Sequence, residues 1–101
     1  MKKYLPKIEK MIKEAQNNAD QEKVFMKGSL TEGDWEMHLE NKRIFEEIYS
    51  ILTKLKLAIE EDNSETLLVL ALILEGMIDD ERFPEEEDVK FLKEIIHEID
   101  F

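Results

Sequence analysis

No cysteine occurs in the 101 residues, so the chain has neither a disulfide framework nor a thiolate metal site, and nothing marks it for an oxidising compartment. Two prolines and three glycines are too few to turn a chain repeatedly through short β-strands. The longest apolar run, 67–74, covers eight residues, against the roughly 20 that a membrane-spanning helix needs. Lysines follow the initial methionine, but charges recur through Lys13 and Glu14, where a secretory leader would carry its apolar segment. A glycine-rich phosphate loop is also missing. These absences leave a cytoplasmic protein without membrane association as the expectation.

What is present is apolar and charged residues in nearly equal share, 43% and 39%. The first figure is high enough for a packed core, and the length fits a single domain over residues 1–101. The charge is one-sided, with 25 acidic residues against 14 basic and a net of −11. Residues 1–50 are near balance, at nine basic and ten acidic groups; residues 51–101 hold five basic and fifteen acidic. Only the extreme N-terminus is locally positive, where Lys2, Lys3, Lys7, Lys10 and Lys13 outnumber Glu9. Direct nucleic-acid binding needs clustered cations that displace counterions, and is not expected here. A basic protein partner would be attracted and steered to such a surface. Solubility is the plainer use of the same charge.

The apolar pattern is helical throughout. Leu5, Ile8, Ile12, Ala15 and Ala19 step by 3, 4, 3 and 4 and predict a first helix over 4–27, with Pro6 tolerated in its first turn. Gln16, Asn17 and Asn18 weaken its middle, and Gly28 ends it. Ser29 and Glu32 have capping-box spacing, while Thr31 and Asp34 offer a competing start. Phe45, Ile48, Leu52, Leu55 and Ile59, widened by Ile44, Ile51 and Ala58, predict a second helix over 34–61. Asp62 or Asn63 then caps a third over 64–78. That helix is apolar on every side along 67–74, so it is expected to be enclosed by its neighbours, or by a second subunit in a homodimer. Pro84 opens a fourth helix with an acidic first turn and a stripe of Val89, Leu92, Ile96 and Ile99. The expected fold is all-α: a small up-down four-helix bundle with helix 3 buried. Its core would combine Phe45, Leu52, Leu68, Leu72, Leu92 and Ile96.

Signals for chemistry are weak. Glu94 and His97 have the Glu-x-x-His spacing of di-iron bundles, but a second such pair and two further inward carboxylates are lacking. Both lie on the polar side of their helix, so no metal and no cofactor is expected. Asp79, Asp80 and Glu81 lack the alternating oxygens and the glycine of a calcium loop. Glu75 closes the apolar run; buried there, its carboxyl would be raised in pKa, although marking the helix's return to solvent is the simpler role. Ser50 has no histidine nearby in the sequence. An enzyme is not expected.

Two places stand out as contact surfaces. Asp79, Asp80, Glu81, Glu85, Glu86, Glu87 and Asp88 lie within ten positions with only Arg82 opposing them, more negative charge than a helix start requires. Counting back from Phe45, the second helix's seam passes through Asn41 and His38, with Trp35 and Leu39 alongside. Either these two turns project beyond the bundle as an exposed patch, Trp being frequent in binding hot spots, or Trp35 closes the core and His38 is simply wet. The second is the plainer reading. The function expected from all this is a non-enzymatic, acidic interaction module of inhibitor or immunity type, neutralising a basic, nucleic-acid-acting partner. The alternative is a helical assembly factor or secretion-type chaperone that uses an apolar groove.

Overall fold

The first predicted stripe is buried along one continuous helix, α1 (Leu5–Lys27), in the computed structural model, which describes residues 1–100. Pro6 lies in its first turn, preceded by a 3-10 turn at Lys2–Tyr4. Gln16, Asn17 and Asn18 do not break it. Their propensity cost is a few tenths of a kcal/mol each, and Ala15 and Ala19 are buried on either side of them. The turn after Gly28 resolves the competing starts. Ser29 donates its hydroxyl back to the Phe25 carbonyl at 2.9 Å, while the Thr31 hydroxyl accepts the Asp34 N–H at 3.1 Å. Thr31 is therefore the N-cap of α2 (Glu32–Glu60).

Asn63 rather than Asp62 caps α3 (Ser64–Asp79), its side-chain oxygen accepting the Thr66 N–H at 3.2 Å. Asp62 instead ends α2 in the left-handed region, at φ 52°. Glu81 does the same after α3, at φ 57°. In each case the next N–H bonds back into the helix, Asn63 to Ala58 and Arg82 to Met77, both at 3.0 Å. The last helix, α4 (Glu86–Asp100), begins two residues beyond Pro84, so the proline belongs to the connector and not to the helix's first turn. Phe83, which precedes Pro84 in the connector, is buried.

All four helices feed one hydrophobic cluster. Ile8, Leu52, Leu55, Ile59, Leu74, Leu92 and Ile95 are its most enclosed members. Lys56 meets Glu9 at 3.4 Å near one end of the α1–α2 pair, and His38 meets Glu22 at 2.5 Å near the other. The two long helices thus run antiparallel. The cluster takes in α1 only as far as Ala15 and α2 only from Ile44 onward. Beyond that point the pair continues alone as a two-helix arm, within overall dimensions of 49 × 23 × 22 Å.

One expectation fails. α3 is not enclosed by its neighbours in the chain: Leu67, Leu70, Ala71 and Leu74 are buried, but Leu68, Val69, Leu72 and Ile73 are exposed. Leu68 and Leu72 are therefore not core residues. Leu52, Leu92 and Ile96 are, and Phe45 packs half-buried against them. The reason is geometric. α3 packs against α2 and α4, and two neighbours cover only one side of a cylinder.

This placement gives opposite outcomes for two leucines two positions apart, on opposite sides of α3. Leu74 is 0% exposed and Leu72 is 69% exposed. Leu74→Asp should cost several kcal/mol by burying an unpaired charge and unfold the domain. Leu72→Asp should shift the urea midpoint by no more than about 0.5 kcal/mol in equivalent stability.

Candidate interaction surfaces

The acidic connector follows from how α3 ends. Once Glu81 has turned the chain, Phe83 drops into the cluster as an apolar anchor and Pro84 stiffens the exit. The charged residues on either side are left pointing outward. Asp79, Asp80, Glu81, Glu85, Glu86 and Glu87 are all exposed. Arg82, the one cation among them, reaches away to pair with Glu47 on α2. Glu86 has Lys90 at 3.9 Å and Asp88 has Lys7 at 3.8 Å. Among the described residues, Asp79, Asp80, Glu81, Glu85 and Glu87 have no ion-pair partner.

Asp88 differs from the rest because it faces inward. It lines a cleft of about 520 Å³ with Lys7, Lys10, Glu14, Phe83 and Glu85. Burial pushes its carboxyl above the ordinary 3.8; Lys7 opposes this, and Glu14, Glu85 and Glu87 add to it. With lysines and carboxylates intermixed, the cleft favours neither an anion nor a cation. Of the seven acidic positions singled out from the sequence, the structure thus keeps six on an open surface and turns the seventh toward α1.

Trp35 and His38 lie elsewhere, on the arm. Trp35 is 44% exposed and does not close the core. His38 is not wet either: it stacks on Phe25 with ring centroids 5.2 Å apart and meets the Glu22 carboxylate. The turns bearing both residues project beyond the four-helix part. Val24, Phe25, Leu30 and Met37 are also exposed there. The connector and the arm are therefore two separate surfaces and not one site.

A third surface escaped the sequence reading. The outward side of α3 carries Leu68, Val69, Leu72 and Ile73 in water. Helical phase could have located it. Glu65 and Gly76 fall on the same line of the helix as Val69 and Leu72, so polar and small residues already mark the side that faces out.

Of the remaining chemical candidates, Glu75 on α3 and His97 on α4 line one open cleft with Asp79, Lys93 and Asp100. Glu75, Glu94 and His97 are exposed. Among the described residues, no group of three or more His, Asp or Glu side chains is placed to hold a metal ion. No helix among them is long and apolar enough to cross a membrane. Tyr4 donates its hydroxyl to Glu98, and this bond is the main reason its pKa is pushed up to about 12. The same bond holds the Glu98 carboxyl below its ordinary value. That pair fastens the start of the chain to α4, with Tyr4 edge-on to Phe91 at 5.6 Å. Comparison with protein-family models, with curated proteins and with solved structures finds no match.

The Asp88 environment has a definite pH signature. Its folded-state pKa is raised, so the folded chain holds this proton more tightly than the unfolded one. Its contribution to stability is full below the ordinary value and declines as pH rises through the raised one. Measured against Asp88→Asn, wild type should lose relative stability across that window and then level off. Urea midpoints of both proteins at a series of acidic pH values check this; an unchanged difference would show that Asp88 titrates as an ordinary surface carboxyl.

Proposed function

We propose that this chain is a non-enzymatic, acidic interaction module that binds a basic protein partner, with inhibition of a nucleic-acid-acting protein as the specific form. One observation carries the reading: five carboxylates in and beside the α3–α4 connector stand exposed without an ion-pair partner, while the only arginine among them is engaged on α2. Unneutralised charge of one sign on one face repels itself. A partner rich in Lys and Arg relieves that repulsion and is drawn in quickly, as a phosphate-binding surface would be. The Phe83 anchor and the left-handed turn at Glu81 hold the connector in a fixed shape, which limits the ordering cost of binding.

A chaperone-like holder of apolar segments is the second reading, favoured by the uncovered face of α3. Salt dependence separates the two. Binding led by the connector weakens steeply with ionic strength; binding led by apolar surface hardly changes.

Replacing Asp79, Asp80, Glu81, Glu85 and Glu87 by their amides should weaken binding of a partner captured from the native host by about tenfold for each closely desolvated pair. The salt slope should flatten, while the folded state keeps its stability or gains a little. Calorimetric titration of the captured partner with both proteins at several salt concentrations provides the measurement. Equal affinity and equal slope would leave the connector a solubilising surface only.

A further inference from the structure

None of the described residues covers the outward face of α3, and the charges that α3 itself carries around that face have one sign. Lys93 of α4 lines a cleft with Glu75 and Asp79 at one end. Glu65, Val69, Leu72 and Gly76 follow at i, i+4, i+7 and i+11, a line running along the helix axis. Leu68 and Ile73 flank the line. Taken with their exposed fractions, the four large side chains present roughly 400 Å² of apolar surface, the size of the largest patch on a typical monomer. A standard interface needs about 800 Å² from each partner. Half of any interface here must therefore come from the surroundings, and the surroundings are acidic. Glu61, Asp62 and Glu65 stand at one end of the stripe; Glu75, Asp79 and Asp80 stand at the other. α3 itself carries no lysine or arginine.

These charges select the occupant. A second copy seated symmetrically on the same face sets Glu65 against Glu75 if the helices run antiparallel, and against Glu65 if they run parallel. An anionic lipid surface meets the same repulsion. An amphipathic helix with an apolar stripe between basic ends satisfies both the stripe and its borders. Gly76 points the same way. A side chain there would meet nothing within 4 Å, so packing inside the chain does not ask for glycine, although glycine weakens a helix interior. On the docking line it lets a partner backbone approach closely.

We propose that the outward face of α3 is the docking site for an amphipathic helix of the partner protein, one whose apolar stripe is flanked by Lys or Arg. This rests on the reading of the chain as an acidic module for a basic partner, and adds the face used and the shape of what binds. The apolar stripe holds the partner helix and sets its lifetime. Asp79 and Asp80 belong both to the border of the stripe and to the acidic connector, so steering and docking are continuous across one surface.

The test uses three synthetic helices of about 18 residues, followed by fluorescence anisotropy: a Leu stripe with Lys ends, an Ala stripe with the same Lys ends, and a Leu stripe with Glu ends. The Leu/Lys helix should bind at least about tenfold more tightly than the Ala/Lys helix, and the Leu/Glu helix should not bind. Leu72→Ser should bring the Leu/Lys affinity down toward the Ala/Lys value and leave the latter unchanged. Gly76→Ala should raise the thermal midpoint while weakening Leu/Lys binding, a combination that simple destabilisation cannot produce. Equal affinity for the two Lys helices overturns the docking site and leaves the acidic module standing. Failure of both Lys helices to bind removes the module and the docking site together. A dimer in sedimentation that Leu72→Ser dissociates, or a Leu/Glu helix that binds as tightly as Leu/Lys, overturns the proposal as well.

Discussion

Contact among seven almost fully enclosed side chains is the interaction on which the rest of the fold depends. α2 supplies Leu52, Leu55 and Ile59; Ile8 comes from α1, Leu74 from α3, and Leu92 and Ile95 from α4. No disulfide backs them up, and among the described residues no polar one is buried. The Lys56–Glu9 pair between α1 and α2 is substantially exposed and contributes little. Each enclosed aliphatic side chain is worth about 1.5–3 kcal/mol of burial. α2 supplies the largest share of this cluster; α1 and α3 pack against α2, and α4 packs against α3.

How far the sequence could be read follows from that arrangement. A helix with a polar side declares which residues go inward, so the stripes of α1, α2 and α4 were legible to within a residue or two at their ends. α3 has no polar side along 67–74, and its phase shows only in Glu65 and Gly76, just outside that run. Enclosure on all sides was the natural inference, yet the number of neighbours, which a local pattern does not encode, decides how much of a helix is covered. Phe83 was illegible for the opposite reason. A single aromatic between charged residues has no period, and its burial depends on the Glu81 turn aiming it at the cluster. The acidic connector was plain as composition, but the inward turn of Asp88 and the departure of Arg82 to Glu47 are tertiary facts.

Charge is distributed by the same logic. The N-terminal lysines, the only concentration of positive charge in the chain, lie beside α4, where Lys3 meets Glu98 at 4.0 Å and Lys7 meets Asp88 at 3.8 Å. Lys7 also lies over the Phe91 ring, 5.2 Å from its centre. Lys3 and Lys7 therefore offset carboxylates of α4, and neither reaches those of α3 and the connector. A near-neutral half folded against a strongly acidic one yields a molecule whose field is uneven, and the uneven part coincides with the uncovered helix.

The arm carries a consequence of a different kind. Past Ala15 and Ile44 the two long helices have only each other, joined by buried Ala19, the His38–Glu22 contact and the Phe25–His38 stack, while Leu30 at the tip is 96% exposed. Opening such a segment exposes little that was dry, so its local unfolding free energy is small beside that of the cluster. Amide protection along α1 and α2 therefore descends from the bundle toward the tip. Each long helix is a single rod in shape but spans two regimes of stability, fixed at one end and breathing at the other.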